Sequence, residues 1–162
     1  MLLMDRKEIG AMPTSACGVQ LRVVRDVGCE DAVTQVHPTG YVYTPKRAFE
    51  YRLPEPYCVL DYERFCKLLF KKGGAEFVRS PALGVSADGH TVTTAAGAFE
   101  AECVVDASGW RAALAKSLDK GFVDTRTLAF GVETEATGRG DGLHFWFAPN
   151  YIHGGYAWNF PS

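Results

Sequence analysis

The chain has 162 residues, 47% of them hydrophobic and 22% charged, which is enough apolar material for one ordinary domain or two small lobes. Seventeen basic and nineteen acidic side chains give a net charge of −2, and they form no basic stripe suited to a phosphate backbone, so nucleic acid is excluded as an expected partner.

In chain order, Met1–Met4 is an apolar run closed by Asp5, the way a buried parallel strand ends in a dinucleotide-binding sheet. Pro13 to Gly18 reads as a loop, and Val19 to Val27 fits a short helix or a strand. The stretches "AVTQVHPTGYVYTP" and "AFEYRLPE" are rich in Val, Thr, Tyr and Phe. They read as antiparallel strands with one solvated face, broken at Pro-Thr-Gly and Pro-Lys. The clearest helix is "DYERFCKLLFKKGG". Asp61 can cap it, and Tyr62, Phe65, Leu68 and Leu69 share a face. Lys71 and Lys72 suit its carboxyl end, and Gly73 permits a left-handed stop.

A strand is expected at "AEFVRS", a two-stranded excursion around Ala87 to Gly89, and a strand "AECVVDAS" that leads into a second helix near Trp110. The remainder reads as alternating strands joined by a glycine-rich loop. The expected fold is α+β: a partial Rossmann-like α/β lobe (1–36 and 59–120) interleaved with an antiparallel β lobe (37–58 and 121–162).

The five cysteines (Cys17, Cys29, Cys58, Cys66, Cys103) are odd in number and show no CxxC spacing. That pattern fits reduced thiols and a cytoplasmic location better than a disulfide framework or a zinc site. No apolar run approaches the ~20 residues of a membrane helix, so membrane contact is expected to be peripheral at most. The histidines (His37, His90, His144, His153) have no sequence neighbours that suggest a metal or a nucleophilic pair, and GxSxG is absent.

Three stretches could carry chemistry. Asp5 alone reads as a solvated strand-end acid, although the same position holds ribose hydroxyls in dinucleotide folds. In "AECVVDASGWRAALAKSL" the small-residue turn at Gly109 could bring backbone amides to a pyrophosphate, with Ser108 or Asp106 bonding to ribose or water. It reads equally well as an ordinary strand-to-helix turn. In "GGYAWNFP", Tyr156 and Trp158 alternate and so share one side of a strand, where they can wall a flat cofactor or an apolar substrate, or simply be core.

Taken in order, "LLMDRKEIG...TSACG", "LDYERFCKLLFKKGGAEFVRSPALGV", "VVDASGWR" and "GGYAWNFP" resemble the geranylgeranyl reductase family of FAD-dependent oxidoreductases, in the wider para-hydroxybenzoate-hydroxylase-like flavoprotein group. The resemblance implies that Asp5, with Arg6 beside it, takes the place of the acid that holds the adenosine ribose. It implies that Cys17 and Gly18 form the loop along the flavin, and that Ala82 contacts the adenine end of FAD. Ser108 and Gly109 stand where the family usually has Asp-Gly, and Tyr62 stands where many relatives have an FAD-contacting Arg. Tyr156 and Trp158 are implied to line the substrate cavity, with Phe160 and Pro161 closing the strand.

The implied activity is hydride transfer from reduced FAD to a carbon-carbon double bond of an isoprenoid or similar small apolar substrate, with NAD(P)H or another donor reducing the flavin. Cys17 is the residue expected nearest the flavin, as a redox-active thiol or as a small polarisable one. No catalytic residue and no metal are assigned. A flavin-dependent halogenase or monooxygenase of the same group is the alternative activity. The family's GxGxxG unit and its later Gly-Asp motif are not in this sequence, so an internal or truncated fragment is expected. Such a fragment would be non-catalytic and would bind FAD weakly or not at all by itself, unless another chain supplied the missing elements.

Overall fold

The computed structural model describes residues 1–11, 17–134, 140–150 and 152–161. Its strands are β1 (Leu2–Asp5), β2 (Gly18–Gln20), β3 (Val33–Tyr43), β4 (Ala48–Leu60), β5 (Glu76–Arg79), β6 (Ala82–Val85), β7 (Thr91–Thr94), β8 (Gly97–Glu100), β9 (Leu143–Trp146) and β10 (Ala157–Asn159), and its helices are α1 (Leu21–Asp26), α2 (Tyr62–Gly73) and α3 (Ala115–Leu118). This mixture is α+β. It divides into two interleaved units, Met1–Ile9 with Gly74–Val132, and Gly10–Gly73 with Glu133–Ser162. The expected divisions at 36/37, 58/59 and 120/121 fall elsewhere. α1 and α2 join the second unit because Leu21, Val24, Phe65 and Leu68 pack into its core.

In the first unit β1 and β5 pair in parallel, with Asp5 opposite Arg79. The parallel pairing agrees with the reading of the opening residues, but burial does not: Leu2 and Leu3 are 38% and 41% exposed. A two-stranded sheet gives each strand only one neighbour and little cover. The expected two-stranded excursion is a three-stranded antiparallel meander, β6-β7-β8. Its first turn is tied by Asp88, which accepts the His90 amide at 3.1 Å, and by Ser86, whose Oγ accepts the Thr91 amide at 2.9 Å.

No strand forms at "AECVVDAS"; Val105 is 80% exposed, since β-branched residues make a strand only against a neighbouring ladder. The helix expected near Trp110 is a 3-10 turn (Gly109–Arg111) followed by the four-residue α3. Ser117 fastens α3 to the meander by accepting the Val85 amide at 3.1 Å while donating to the Leu114 carbonyl at 2.7 Å.

The second unit is built on one five-stranded sheet in the order β10-β9-β3-β4-β2. It is mixed rather than wholly antiparallel, because β9 runs parallel to β3. Pro38 does not break the chain into two strands as expected. The β3–β4 register shifts between His37 and Thr39, so Pro38 lies at a bulge opposite the Leu53–Pro56 stretch of β4. A residue with no N–H is tolerated where the ladder is interrupted. The ambiguous Val19–Val27 stretch is both things in turn: strand to Gln20, then helix from Leu21.

For α2, the Asp61 carboxylate accepts the Arg64 amide at 3.0 Å, the expected N-cap. The left-handed stop is Gly74 (φ +59°) rather than Gly73, and Leu69 is exposed while Phe65 and Leu68 face the core. That core gathers Leu21, Val24, Cys29, Ala32, Cys58 and Leu60, each large aliphatic side chain in it worth roughly 1.5–3 kcal/mol of transfer free energy. The expected strands in "TLAFGVET" do not form among the described residues, and Phe130 is 93% exposed. Most of the glycine-rich loop (135–139) and of the Pro13–Gly18 loop (12–16) lies outside the described residues.

Candidate functional site

In the first unit Asp5 and Arg6 lie at the carboxyl end of β1, beside that of β5. Asp5 ends β1 with its side chain in solvent, and its Oδ1 accepts the Lys7 amide at 2.8 Å. Arg6 is exposed beside it. Arg79, across the ladder from Asp5, is held by Glu8 at 2.8 Å. Ser80 follows immediately, and sequence reading missed it. It is 3% exposed, and its Oγ has no hydrogen-bond partner among the described residues. A buried hydroxyl left unbonded costs about 1–3 kcal/mol, so such a group marks a place for a polar ligand or an ordered water. Only its burial reveals it; a serine before proline carries no such signal in sequence. Ala82 is half-buried and opens β6, paired with Thr94 ahead of a register shift.

In the "DASG" turn the side chains read as ribose or water contacts bond within the turn itself. The Asp106 carboxylate is already engaged: Oδ1 accepts the Ser108 amide at 3.0 Å, and Oδ2 accepts the amides of Leu114 and Ala115 at 3.0 and 2.9 Å. Ser108 Oγ in turn accepts the Ala113 amide at 2.7 Å. Burial works to raise the Asp106 pKa, but the bonds from Ser108, Ala115 and Leu114 outweigh it and hold the carboxyl below its usual range. Asp106 and Ser108 therefore clamp the start of α3. Gly109 sits at φ +69° with open space where a Cβ would be, so glycine is needed there for conformation rather than for room.

In the second unit the tertiary fold joins two motifs that are far apart in sequence. Cys17 has a left-handed backbone (φ +51°), its carbonyl accepts the Leu60 amide at 3.1 Å, and it packs at the core margin. Next to it, a Cβ on Gly18 would lie 2.9 Å from two ring carbons of Phe160. The absent side chain is thus the seat of that ring. Phe160 meets Phe145 edge-on at 5.3 Å, Phe145 meets Tyr156 at 6.0 Å, and Tyr156 meets Trp158 at 5.8 Å.

Tyr156 and Trp158 do share a side of the β10 segment, as alternation requires. Tyr156 also stacks on Phe147 at 5.5 Å and lines, with Phe147, Pro149 and Ile152, an apolar cleft of about 300 Å³. That size and lining suit a small apolar ligand. The aromatic alternation in "HFWF" could have signalled this wall. A larger depression of about 390 Å³ lies over Arg64, Lys67 and Lys71 of α2; it is a solvated helix face and holds none of the predicted residues. Pro161 is pinned from below by His37, 1% exposed, whose Nε2 donates to its carbonyl at 2.8 Å. Among the described residues no group of three or more metal-ligating side chains occurs, and no helix is long and apolar enough to cross a membrane.

No protein-family model and no curated protein matches the sequence. Among solved structures, the tetrameric form of 2-methyl-3-hydroxypyridine-5-carboxylic acid oxygenase matches 73% of this chain and 35% of its own, with a TM-score of 0.55 and 17% identity. A point mutant of that oxygenase matches with a TM-score of 0.54 at 17% identity, over the same shares of the two chains. A flavin-dependent brominase matches 61% of this chain and 29% of its own, with a TM-score of 0.49 and 16% identity. At these identities the likeness to the oxygenase is one of fold, and this chain spans about a third of that enzyme's length.

Proposed function

We propose that this chain is part of an FAD-dependent oxidoreductase, and that the reaction is oxygenation of a small, largely apolar substrate rather than reduction of an isoprenoid double bond. The observation that carries this reading is the fold match to 2-methyl-3-hydroxypyridine-5-carboxylic acid oxygenase. It favours the monooxygenase side of the flavoprotein group that the sequence motifs resemble. The double-bond reductase keeps the support of those motifs alone.

The residues present fit the cofactor. Asp5 offers a solvent-facing carboxylate at the end of a parallel strand, and Ser80, which follows Asp5's ladder partner Arg79, supplies a buried hydroxyl with no partner among the described residues. Together they suit the hydroxyl-rich ribose of an adenosine. When bound, FAD supplies the redox chemistry. The chain's own part is to hold the adenosine end through Asp5 and Ser80, and to offer the Phe147–Tyr156–Trp158 wall to the substrate. In the first unit Ala82 is proposed to border the cofactor through its backbone, whereas Ser108 shapes its turn and Gly109 leaves that turn's backbone open; for Cys17 and Gly18, in the second unit, a place along the flavin rests on the sequence resemblance alone.

Titration of the purified chain with FAD, followed by quenching of flavin fluorescence and by calorimetry, tests the assignment. Weak saturable binding is expected, and Asp5→Ala and Ser80→Ala should each weaken it by roughly tenfold, the equivalent of one charge-assisted or buried hydrogen bond. Absence of saturable binding, or binding indifferent to both substitutions, refutes the cofactor site. Oxygen uptake with reduced nicotinamide, FAD and a panel of hydroxylated aromatic carboxylates separates oxygenation from double-bond reduction.

A further inference from the structure

The second unit carries an arrangement that the proposed function does not use. Parallel pairing of β3 with β9 sets Tyr41 across from His144 and Tyr43 across from Trp146. These four rings lie on the sheet face opposite Phe145 and Phe147, since neighbouring strand residues alternate. They form a parallel stack. Ring centroids are 4.8 Å apart for Tyr41 and His144, 5.9 Å for His144 and Tyr43, and 5.1 Å for Tyr43 and Trp146, with interplanar angles of 11°, 10° and 12°.

One hydrogen bond and one longer imidazole–carboxylate contact run through the stack. Tyr43 Oη lies 3.0 Å from His144 Nδ1, and His144 Nε2 lies 3.5 Å from Asp141 Oδ1. The nearby Asp141 carboxylate favours the tautomer with hydrogen on Nε2, in which Nδ1 is the acceptor and the Tyr43 phenol the donor. Tyr41 faces the same carboxylate, and burial first, then the charges of Asp141 and Glu50, raise its pKa.

We propose that Tyr43 is a redox-active tyrosine, with His144 as its proton acceptor, Asp141 as the group that positions His144, and Trp146 as its electron-transfer neighbour. A one-electron oxidant, of the class of radicals derived from dioxygen, takes one electron from Tyr43 by way of Trp146 and is reduced. In the same step the phenol proton passes from Tyr43 Oη to His144 Nδ1. The products are a neutral tyrosyl radical and an imidazolium whose charge is balanced by Asp141. An external thiol returns one electron, the proton goes back to Tyr43, and the thiol is left as a thiyl radical with its own proton released to solvent.

A phenol is hard to oxidise while it keeps its proton. A base already hydrogen-bonded to it shortens the proton's path to a single transfer, and a nearby carboxylate stabilises the resulting cation. The result is a drain for oxidising equivalents, a function separate from FAD binding and not dependent on it.

Flash photolysis with ruthenium tris-bipyridine and an electron-accepting quencher generates a one-electron oxidant in solution, and transient absorption with electron paramagnetic resonance follows the tyrosyl radical. The wild-type chain should show a fast phase of tyrosyl formation that Tyr43→Phe abolishes. His144→Gln should slow that phase roughly tenfold, the rate equivalent of one lost hydrogen bond. Asp141 is 81% exposed at its side chain, so Asp141→Asn tests the relay without threatening the fold, and it too should slow the phase. A fast phase that survives Tyr43→Phe, or that is unchanged in Asp141→Asn, overturns the proposal whether or not His144→Gln folds.

Discussion

Replacing Asp106 by Ala should release the start of α3. In the native turn its two oxygens accept three backbone amides, from Ser108, Leu114 and Ala115, at 2.9 to 3.0 Å. Bonds to a charged acceptor are individually stronger than neutral ones, but this carboxylate is exposed and screened. The summed loss therefore falls in the range of a deleted helix cap, about 1–2 kcal/mol. Asp106→Asn keeps one acceptor oxygen and should cost about half as much, roughly 0.5–1 kcal/mol.

The sign with pH follows from the lowered carboxyl pKa. A group depressed in the folded state contributes fully above its unfolded value of about 4, and the contribution is lost as the pH falls through the folded value. Native-state amide exchange reads this directly. Protection factors at Leu114 and Ala115 should drop roughly 5- to 30-fold in Asp106→Ala, while Val92 in the meander stays unchanged. The wild type should lose the same protection in acid, and Asp106→Asn should flatten that loss. Unchanged protection at both amides in Asp106→Ala would refute the clamp and return Asp106 to the pool of ligand-binding candidates.

Gly18→Ala should destabilise the second unit by roughly 1–3 kcal/mol in urea unfolding, because the new methyl lies 2.9 Å from the Phe160 ring. Gly84→Ala, whose nearest neighbour would be 3.5 Å away, should change stability by less than about 0.5 kcal/mol. His37→Leu strands the Pro161 carbonyl and should cost about 1–3 kcal/mol, seen as faster chymotryptic cleavage after Trp158; unchanged cleavage would argue against the pin. Thiol labelling followed by mass spectrometry should find exposed Cys103 modified first in the native protein. Cys58 should react only on unfolding, since burial, partly offset by Arg25, pushes its thiol pKa up.

Local chemistry was readable along the chain wherever one segment decides its own structure. The apolar spacing and Asp61 marked α2, the run into Asp5 marked a strand end, and alternation placed Tyr156 and Trp158 on one side. These depend on backbone period and on side chains a few residues apart, which sequence displays. What depends on a partner distant in sequence was hidden. β-branched "AECVVDAS" does not become a strand because strand formation needs a neighbouring ladder. Pro38 is kept inside β3 by a bulge that the opposing β4 accommodates. Asp106 looks like a ligand acid until α3 folds back to give it amides.

The same distinction separates the parts of the candidate site. Sequence by itself determined which residue types could meet a ribose or an aromatic substrate and in what order they occur. Tertiary structure alone decided that the Phe160 ring rests on Gly18, that Ser80 is buried with no partner among the described residues, and that Tyr43 finds His144 across a parallel pair. Contacts between residues up to 142 positions apart are set by packing and by ladder register. Those are properties of the folded chain that no local period encodes.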